Sequence, residues 1–191
     1  MSGTLTSSRL RLRPWTMDDV DAAFDIYSHD EVARWLSPRM DVVRDRHAMR
    51  LLLQQWITEN DRSTPPTARW AIELAEDDRV VGGAFLLYLP PGGVDPEIGW
   101  QLNPEHWGKG YASEAGHLLA HWAFEWPGVD EVFAVVLPDN TRGAATAKRI
   151  GMEWVGETEK YYDLRLQVYR LRKGDLDVPR ALPAQRTTPG T

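Results

Sequence analysis

The sequence predicts an α/β protein built on a mixed, twisted β-sheet, and three segments in the middle of the chain carry that prediction. Residues 132–137 (VFAVVL) have the composition of a strand buried on both faces. The helix predicted over 110–126 places its apolar residues on one face. A strand predicted over 97–102 precedes that helix. Strand, helix and strand in this order form a βαβ unit, whose strands should be parallel with a right-handed crossover.

The N-terminal third predicts one strand followed by three helices. Residues 9–13 (RLRLR) alternate between polar and apolar types, which predicts a half-buried or edge strand that ends at Pro14. We expect the three arginines of this segment on the solvent face of an edge strand. Thr16 has the chemistry of a helix N-cap. Two further helices are predicted from Asp30 and over about 41–59.

The rest of the chain completes a predicted sheet of about seven strands with helices packed against it. Strands are predicted over 68–74 and 80–88, ahead of the βαβ unit. After that unit, a short helix is predicted over about 141–150, followed by two strands near 153–160 and 162–172.

The length of the chain indicates a single domain with a short extension. A chain of 191 residues and 21.7 kDa matches one domain of ordinary size. We predict that residues 1–173 form that domain. Residues 174–191 are predicted to form a flexible tail, because they contain three prolines and no periodic apolar face.

Composition excludes several classes of site and partner. Because the chain has no cysteine, it cannot contain disulfides, thiolate nucleophiles or iron–sulfur clusters. Its 22 basic and 28 acidic side chains give a net charge of −6, which argues against general binding to nucleic acid. No apolar run reaches the roughly 18 residues of a membrane span, and the first residues lack the pattern of a secretory signal. We therefore expect a cytoplasmic protein with neither a membrane nor a nucleic-acid partner.

One pair of histidines has the spacing of a metal site but lacks its other parts. His117 and His121 stand four residues apart on the helix predicted over 110–126, as in a zinc pair. Leu118 occupies the position where the metalloprotease motif requires glutamate, and no third ligand is evident. We therefore predict no metal site.

The segment over 104–113 (PEHWGKGYAS) carries the clearest chemical signal, since it follows a strand and opens an amphipathic helix. Gly108 and Gly110 allow the backbone to turn tightly and to approach a ligand closely. The first turn of the helix presents unpaired N–H groups and the positive end of the helix dipole. This combination predicts a phosphate or pyrophosphate site. The alternative is an ordinary turn in which the glycines serve geometry alone.

The loop matches neither of the two best-known phosphate motifs. A Walker A loop needs four residues between its first glycine and the sequence Gly-Lys-Ser/Thr. This loop has neither that spacing nor a serine or threonine after Gly-Lys. A dinucleotide fingerprint needs a third glycine where this chain has Ser113, and an acidic residue at the end of the next strand. The sequence therefore predicts a phosphate loop of another kind.

Three segments occur here in the same order as in one known family. They are SSRLRLRPWTMDDVDAAFDIYSHDEVARWL, EIGWQLNPEHWGKGYASEA and LPDNTRGAATAKRIGMEWVGE. Through them the sequence resembles the GNAT acetyltransferase superfamily, in its branch of ribosomal-protein-alanine N-acetyltransferases of the RimJ/RimL type, over about residues 7–173. The resemblance implies a GNAT-like sheet whose fourth and fifth strands splay apart, with acetyl-CoA entering the gap.

The resemblance also implies which residues contact acetyl-CoA. The pantetheine arm would run along the fourth strand, and the pyrophosphate would rest on backbone amides of the following loop, where Trp107 replaces the arginine or glutamine common in the family. Asn140 matches an asparagine that contacts the arm, although a turn or a helix cap would also explain it. Arg142 could meet the 3′-phosphate or be an exposed helix charge. The residues predicted to bind acetyl-CoA are Trp100, Gln101, Leu102, Asn103, Trp107, Gly108, Lys109, Gly110, Tyr111, Ala112, Ser113, Asn140 and Arg142.

The reaction implied by the resemblance is transfer of acetyl from acetyl-CoA to a primary amine, on a protein N-terminus or a small molecule, by direct attack. Such a reaction needs a base for the ammonium proton. Glu97 starts the fourth strand and is the candidate base, with a solvated strand-end carboxylate as the alternative.

Gly143 and Lys148 stand where many relatives have serine and tyrosine, so the proton donor to the thiolate is unassigned. The candidates by chemistry alone are Tyr161, Tyr162 and Tyr169.

Two other functions fit parts of the same pattern. The missing serine and tyrosine would suit a catalytically inactive CoA-binding sensor or interaction protein. A nucleotide-binding module with an unrelated phosphate loop would also use residues 107–113. We expect acetyl-CoA and an amine as the partners of this chain, which would act as a monomer or a homodimer.

Overall fold

The N-terminal part of the chain forms two short strands and three helices. The computed structural model describes residues 3–36 and 40–176, so the predicted tail beyond 176 lies outside the described residues. The elements of this part are β1 (Leu5–Thr6), β2 (Leu10–Pro14), α1 (Val20–Tyr27), α2 (Asp30–Ala33) and α3 (Arg46–Arg62).

The remaining elements follow the predicted order along the chain. They include the predicted βαβ unit, which is confirmed because α4 connects two neighbouring parallel strands, β5 and β6. The elements are β3 (Ala68–Leu74), β4 (Val80–Tyr88), β5 (Pro96–Leu102), α4 (Tyr111–Phe124), β6 (Glu131–Val136), α5 (Thr141–Ile150), β7 (Glu153–Thr158) and β8 (Leu166–Arg172).

All the strands belong to one mixed sheet with the order β1-β2-β3-β4-β5-β6-β8-β7. Within the described residues the sheet has eight strands rather than about seven, because the two residues of β1 pair with β2 and are too few to show alternation. Every neighbouring pair is antiparallel except β5 and β6, which pair at one position, Glu97 opposite Phe133. Beyond that position the two strands splay apart, as the resemblance implies for its fourth and fifth strands.

The second strand, β2, lies inside the sheet, so the prediction that its arginines form the solvent face of an edge strand is wrong. Arg11 and Arg13 each contact the buried carboxylate of Glu73 at 2.6 Å. Arg13 also donates two hydrogen bonds of 2.8 Å to buried Asp19. The two arginines thus supply the opposite charge that a buried carboxylate requires.

Two predicted boundaries move for local reasons. Helix α3 begins after Asp45 rather than at about 41, because the Asp45 side chain caps it by accepting a hydrogen bond of 2.8 Å from the amide of Ala48. Strand β8 begins at 166 rather than 162, because Tyr162 and Asp163 form a turn with left-handed φ angles of 56° and 52°.

Helices cover both faces of the sheet and hold the two edges of the gap between β5 and β6. On one face, α4 and α5 pack over fully buried residues that include Trp70, Ile98 and Leu119. On the other face, α1 and α3 pack around Ile26 and Leu53. Burial of each such side chain contributes roughly 1.5–3 kcal/mol. Of these helices, α4 packs on both β5 and β6, and α5 packs on β6, so these two helices border the gap.

Candidate active site

A cleft of about 780 Å³ occupies the gap between β5 and β6. Its lining comes from β5, the loop after β5, the first turn of α4, strand β6, helix α5 and residues 31–36. The volume lies within the range of small-molecule and cofactor sites, roughly 300–1,000 Å³. The splay of the two parallel strands therefore creates a site large enough for an extended ligand.

The loop between β5 and α4 ends at a helix N-terminus that faces this cleft. Gly108 and Gly110 have left-handed φ angles of 75° and 83°, which other residues adopt only with strain. Gly110 is the N-cap of α4, and no side chain from the described part of the chain caps the helix there. Its first amides therefore lack the partner that a serine or aspartate would supply. Uncapped amides of this kind, together with the helix dipole, can hold an anion.

The Trp107 side chain connects the two walls of the cleft. Its indole Nε1 donates a hydrogen bond of 3.0 Å to the backbone oxygen of Leu102, at the end of β5. The Arg142 guanidinium, from the first turn of α5, lies 4.4 Å from the centre of the indole ring. This cation–π contact brings a positive charge from α5 to the loop that offers the anion site.

Most of the residues predicted to bind acetyl-CoA line the cleft, and so does the candidate base, Glu97. Those that line it are Trp100, Gln101, Leu102, Trp107, Gly108, Gly110, Tyr111, Ala112, Ser113, Asn140 and Arg142.

Two residues of the predicted set, Asn103 and Lys109, are not among the residues that line the cleft. The side-chain oxygen of Asn103 accepts a hydrogen bond of 3.0 Å from the amide of Glu105, and its amide nitrogen donates to the backbone oxygen of Asp25 at 3.1 Å. The Lys109 backbone oxygen accepts a hydrogen bond of 3.0 Å from Arg9. These contacts hold the Asn103 side chain and the Lys109 carbonyl in place at the two ends of the turn before α4.

Asn140 caps helix α5, which is the alternative that its sequence context left open. Its side-chain oxygen accepts a hydrogen bond of 2.9 Å from the amide of Gly143. A β-carbon at position 143 would lie 2.7 Å from the Asn140 side-chain nitrogen and 3.0 Å from Val136. A side chain at position 143 would therefore require the Asn140 cap to shift.

Glu97 lies deep in the cleft, with 3% of its surface exposed. Burial raises its pKa to about 8, even though the Tyr162 hydroxyl and the amide of Val135 donate hydrogen bonds to it. The Val135 amide is available for this contact because β6 has left the ladder with β5 after Phe133. The alternative of a solvated strand-end carboxylate is wrong. The structure instead provides a carboxyl that titrates near neutral pH.

Of the three tyrosines that chemistry alone suggested, Tyr162 is the one that contacts Glu97. Its hydroxyl donates a hydrogen bond of 2.9 Å to the carboxylate. The hydroxyl of Tyr161 contacts Asp95 instead, and that of Tyr169 contacts Gln167. Lys160 also contacts Asp95, at 3.1 Å, and so attaches the turn that carries Tyr162 to the segment before β5.

Apolar residues outside the predicted set line another part of the cleft. They include Val32 and Leu36, beside Trp35, and Phe85 from β4. The Phe85 ring packs over Gly99 so closely that a β-carbon there would lie 2.2 Å from it. A glycine inside a strand was the available signal for such a close approach. Because Glu97 and Gly99 share one face of β5, Phe85 and the candidate base lie on the same side of the sheet.

Neither a metal cluster nor a membrane-spanning helix occurs in the part of the chain that the structure describes. Within residues 3–36 and 40–176, no three His, Asp or Glu side chains come together as metal ligands. His117 and His121 lie on α4 without forming such a group. No helix of the same residues is long and apolar enough to cross a bilayer.

Comparison with known proteins agrees with the geometry of the cleft. A family model described as an acetyltransferase (GNAT) domain matches residues 9–153. The chain belongs to the GNAT acetyltransferase family. The uncharacterized N-acetyltransferase p20 of Bacillus licheniformis is 32% identical over 141 residues, which are 72% of this chain and 75% of that protein. The family and this relative identify the chain as an N-acetyltransferase.

Solved structures of GNAT proteins share the fold. An acetyltransferase from Agrobacterium tumefaciens superimposes with a TM-score of 0.73 at 26% identity, over 91% of this chain and 96% of that one. RimL, a ribosomal L7/L12 alpha-N-protein acetyltransferase in complex with coenzyme A, superimposes with a TM-score of 0.71 at 18% identity, over 89% and 98%. The resemblance to the RimJ/RimL type is consistent with this neighbour.

Proposed function

We propose that this N-acetyltransferase moves acetyl from acetyl-CoA to a primary amine by direct attack. One observation carries the proposal: a single cleft is lined both by an uncapped helix N-terminus and by the buried carboxyl of Glu97. The first can hold the phosphates of the donor, and the second can exchange a proton with the acceptor. Acetyl transfer from a phosphate-bearing thioester needs both groups within reach of one ligand.

The donor would lie along β5 with its pyrophosphate on the amides of residues 107–113. Residues 100–102 line the cleft next to this loop, and Asn140 and Arg142 line it from the side of α5. Backbone amides do most of the binding in such a loop, so the indole of Trp107 need not contact phosphate. The RimL neighbour was solved in complex with coenzyme A, which supports a coenzyme A thioester as the donor.

The reaction joins the amine nitrogen to the acetyl carbon and breaks the carbon–sulfur bond. The nitrogen attacks only after its ammonium form has lost a proton, which ionised Glu97 accepts directly or through one water. With a pKa of about 8, Glu97 is a stronger base than an exposed carboxylate, although only about a tenth of it is ionised at pH 7. Coenzyme A leaves as a thiolate and takes a proton from solvent.

The acceptor would carry its amine on an apolar or aromatic group. The cleft is lined by Val32, Trp35, Leu36 and Phe85 in addition to Glu97. Such side chains gain about 25 cal/mol for each Å² of hydrocarbon that they cover, and they offer few partners to a strongly polar substrate. A peptide whose first residue is apolar would satisfy the same requirement as a small arylalkyl amine.

A screen with radiolabelled acetyl-CoA tests the proposed function. The panel contains aromatic and aliphatic monoamines, polyamines and peptides with free N-termini, and each is assayed with the wild type and with Glu97→Gln. We expect labelled product from apolar amines, and much less of it from Glu97→Gln. Tight binding of acetyl-CoA without turnover of any amine would instead favour the inactive CoA-binding sensor, and equal competition by ATP would favour a nucleotide-binding module.

A further inference from the structure

Arg9, just before β2, contacts the back of the loop that leads into α4. Its Nη1 donates a hydrogen bond of 3.0 Å to the backbone oxygen of Lys109, and its Nε donates one of 2.7 Å to Glu114 in α4. Its guanidinium also lies 4.9 Å from the centre of the Tyr111 ring. Arg9 is not among the residues that line the cleft, so it can act on a ligand only through the loop.

Glu114 is held almost entirely by the segment that contains Arg9. Its carboxylate accepts hydrogen bonds from the Ser7 hydroxyl at 2.6 Å and from the Arg9 amide at 3.3 Å, besides the guanidinium contact. Burial raises the pKa of Glu114, but the hydrogen bonds from Ser7 and Arg9 outweigh it and hold the pKa below its ordinary value. Glu114 is therefore a negative charge fixed in the first turn of α4.

A fixed carboxylate beside an anion site would weaken that site unless a cation compensates it. Two like charges near a helix N-terminus repel one another across the loop, and Arg9 supplies the opposite charge at Glu114. Arg9 also donates a hydrogen bond to the Lys109 carbonyl oxygen at the back of the loop. The β-carbon that residue 110 would have lies 3.4 Å from Arg9 Nη2, which places the guanidinium directly behind the turn.

We propose that Arg9 is a positioning residue for the pyrophosphate site: it neutralises Glu114 and fixes the carbonyl of Lys109 behind the loop. The proposal rests on the proposed function, in which this loop holds the pyrophosphate of acetyl-CoA. It also gives a role to the alternating arginine segment, whose first member belongs to the donor site although it lies 100 positions before Lys109.

The charge argument predicts a specific pattern of affinities for acetyl-CoA. Arg9→Gln should raise the Kd for acetyl-CoA at least tenfold, because it leaves Glu114 uncompensated. Arg9→Lys should fall between that variant and the wild type, since an ammonium keeps the charge but cannot hold both partners in the guanidinium geometry. The double variant Arg9→Gln/Glu114→Gln should recover part of the affinity, because the repelling charge is gone.

Calorimetry with two probes separates positioning from general damage to the fold. S-Acetylpantetheine lacks the pyrophosphate, so its affinity should be the same for the wild type and Arg9→Gln, whereas a distorted fold would weaken both probes. Arg172→Gln is the matched control, because it removes another arginine–carboxylate contact, with Glu131 at 3.0 Å, outside the cleft lining. Should Arg9→Gln not fold, the same comparison is made with Arg9→Lys.

Two negative results have different meanings. If Gly110→Val weakens acetyl-CoA binding but Arg9→Gln, or Arg9→Lys in its place, binds like the wild type, the positioning role of Arg9 is overturned and the proposed function stands. If neither Gly110→Val nor the Arg9 variants weaken binding, the loop is not the pyrophosphate site and both proposals fail. Failure of the double variant to recover any affinity would overturn the charge argument.

Discussion

The Tyr162 hydroxyl donates a hydrogen bond of 2.9 Å to the carboxylate of Glu97, which is 65 positions away in the sequence. This bond lowers the pKa of a carboxyl that burial raises. The tyrosine therefore sets how much of the candidate base is ionised near neutral pH. Tyr162 makes this contact from a turn in which its φ is 56°.

Tyr162→Phe should shift the pH dependence of acetyl transfer to higher pH. Without the hydroxyl, the pKa of Glu97 rises above about 8, and each unit of increase reduces the ionised fraction at pH 7 about tenfold. Rates at saturating acetyl-CoA, measured from pH 6 to 10, check this. Tyr169→Phe is the control, since that hydroxyl contacts Gln167, and equal profiles for both variants would contradict the role of Tyr162.

Glu97→Gln should reduce acetyl transfer while leaving the donor site intact. Glutamine keeps the size of the side chain but cannot accept the ammonium proton, and loss of a general base typically lowers rates by about 10²–10⁴-fold. The deficit should shrink at high pH, where the free amine needs no base. Turnover at pH 7 and calorimetry with acetyl-CoA measure the two effects. Full turnover by the variant would show that another group or solvent accepts the ammonium proton.

The same substitution should change how stability depends on pH. Glu97 has a pKa of about 8 in the folded protein, against an ordinary value of 4.5, so the folded state holds a proton that the unfolded state has released. The free energy of unfolding of the wild type should therefore fall, relative to Glu97→Gln, as pH rises from about 4.5 to 8. Urea denaturation of both proteins at pH 5 and pH 8 tests this, and parallel pH dependence would show that Glu97 is ionised when buried.

Gly110→Val should lower the affinity for acetyl-CoA at least roughly tenfold, or about 1.4 kcal/mol. A valine would adopt the φ of 83° only with strain, and its β-carbon would lie 3.4 Å from Arg9 Nη2, so the turn that offers its amides to phosphate would have to shift. Gly128→Val is a matched control, because Gly128 has the same φ and open space around it, outside the cleft lining. Both variants should lose stability, but only Gly110→Val should lose affinity. Equal affinities would remove the loop from the donor site.

A chain that ends at Leu176 should keep its melting temperature and its affinity for acetyl-CoA. Leu176 packs against the main hydrophobic cluster, and the Lys173 amide donates a hydrogen bond of 2.9 Å to Asp130. A chain that ends at Gly174 loses the leucine and should melt a few degrees lower, since about 1 kcal/mol shifts the midpoint by about 2–4 °C in a domain of this size. A large loss in the longer of these two chains would show that residues after 176 stabilise the body.

Local patterns predicted the central βαβ unit and the loop around Gly110, because apolar periodicity and glycine spacing are properties of residues that are close together in the sequence. They did not reveal the contacts that give the site its chemistry. The contact of Tyr162 with Glu97 and that of Arg9 with Glu114 join residues that are 65 and 105 positions apart. Such contacts depend on the folded sheet and leave no local pattern in the sequence. The left-handed φ of Tyr162 has no glycine to signal it, so a strand was predicted through the turn.

The single pair between β5 and β6, Glu97 opposite Phe133, has a thermodynamic consequence. On its β6 side, the rest of β5 pairs with no strand of the residues that the structure describes, and an extended ligand with amide groups can take that place. The ligand would then occupy the position of a missing strand. Because only the folded chain offers this position, the ligand would bind the folded state and not the unfolded one. By mass action, a donor concentration 100 times its Kd would add about 2.7 kcal/mol to the free energy of unfolding. The supply of acetyl-CoA would thereby set the stability of the folded protein as well as its rate of acetyl transfer.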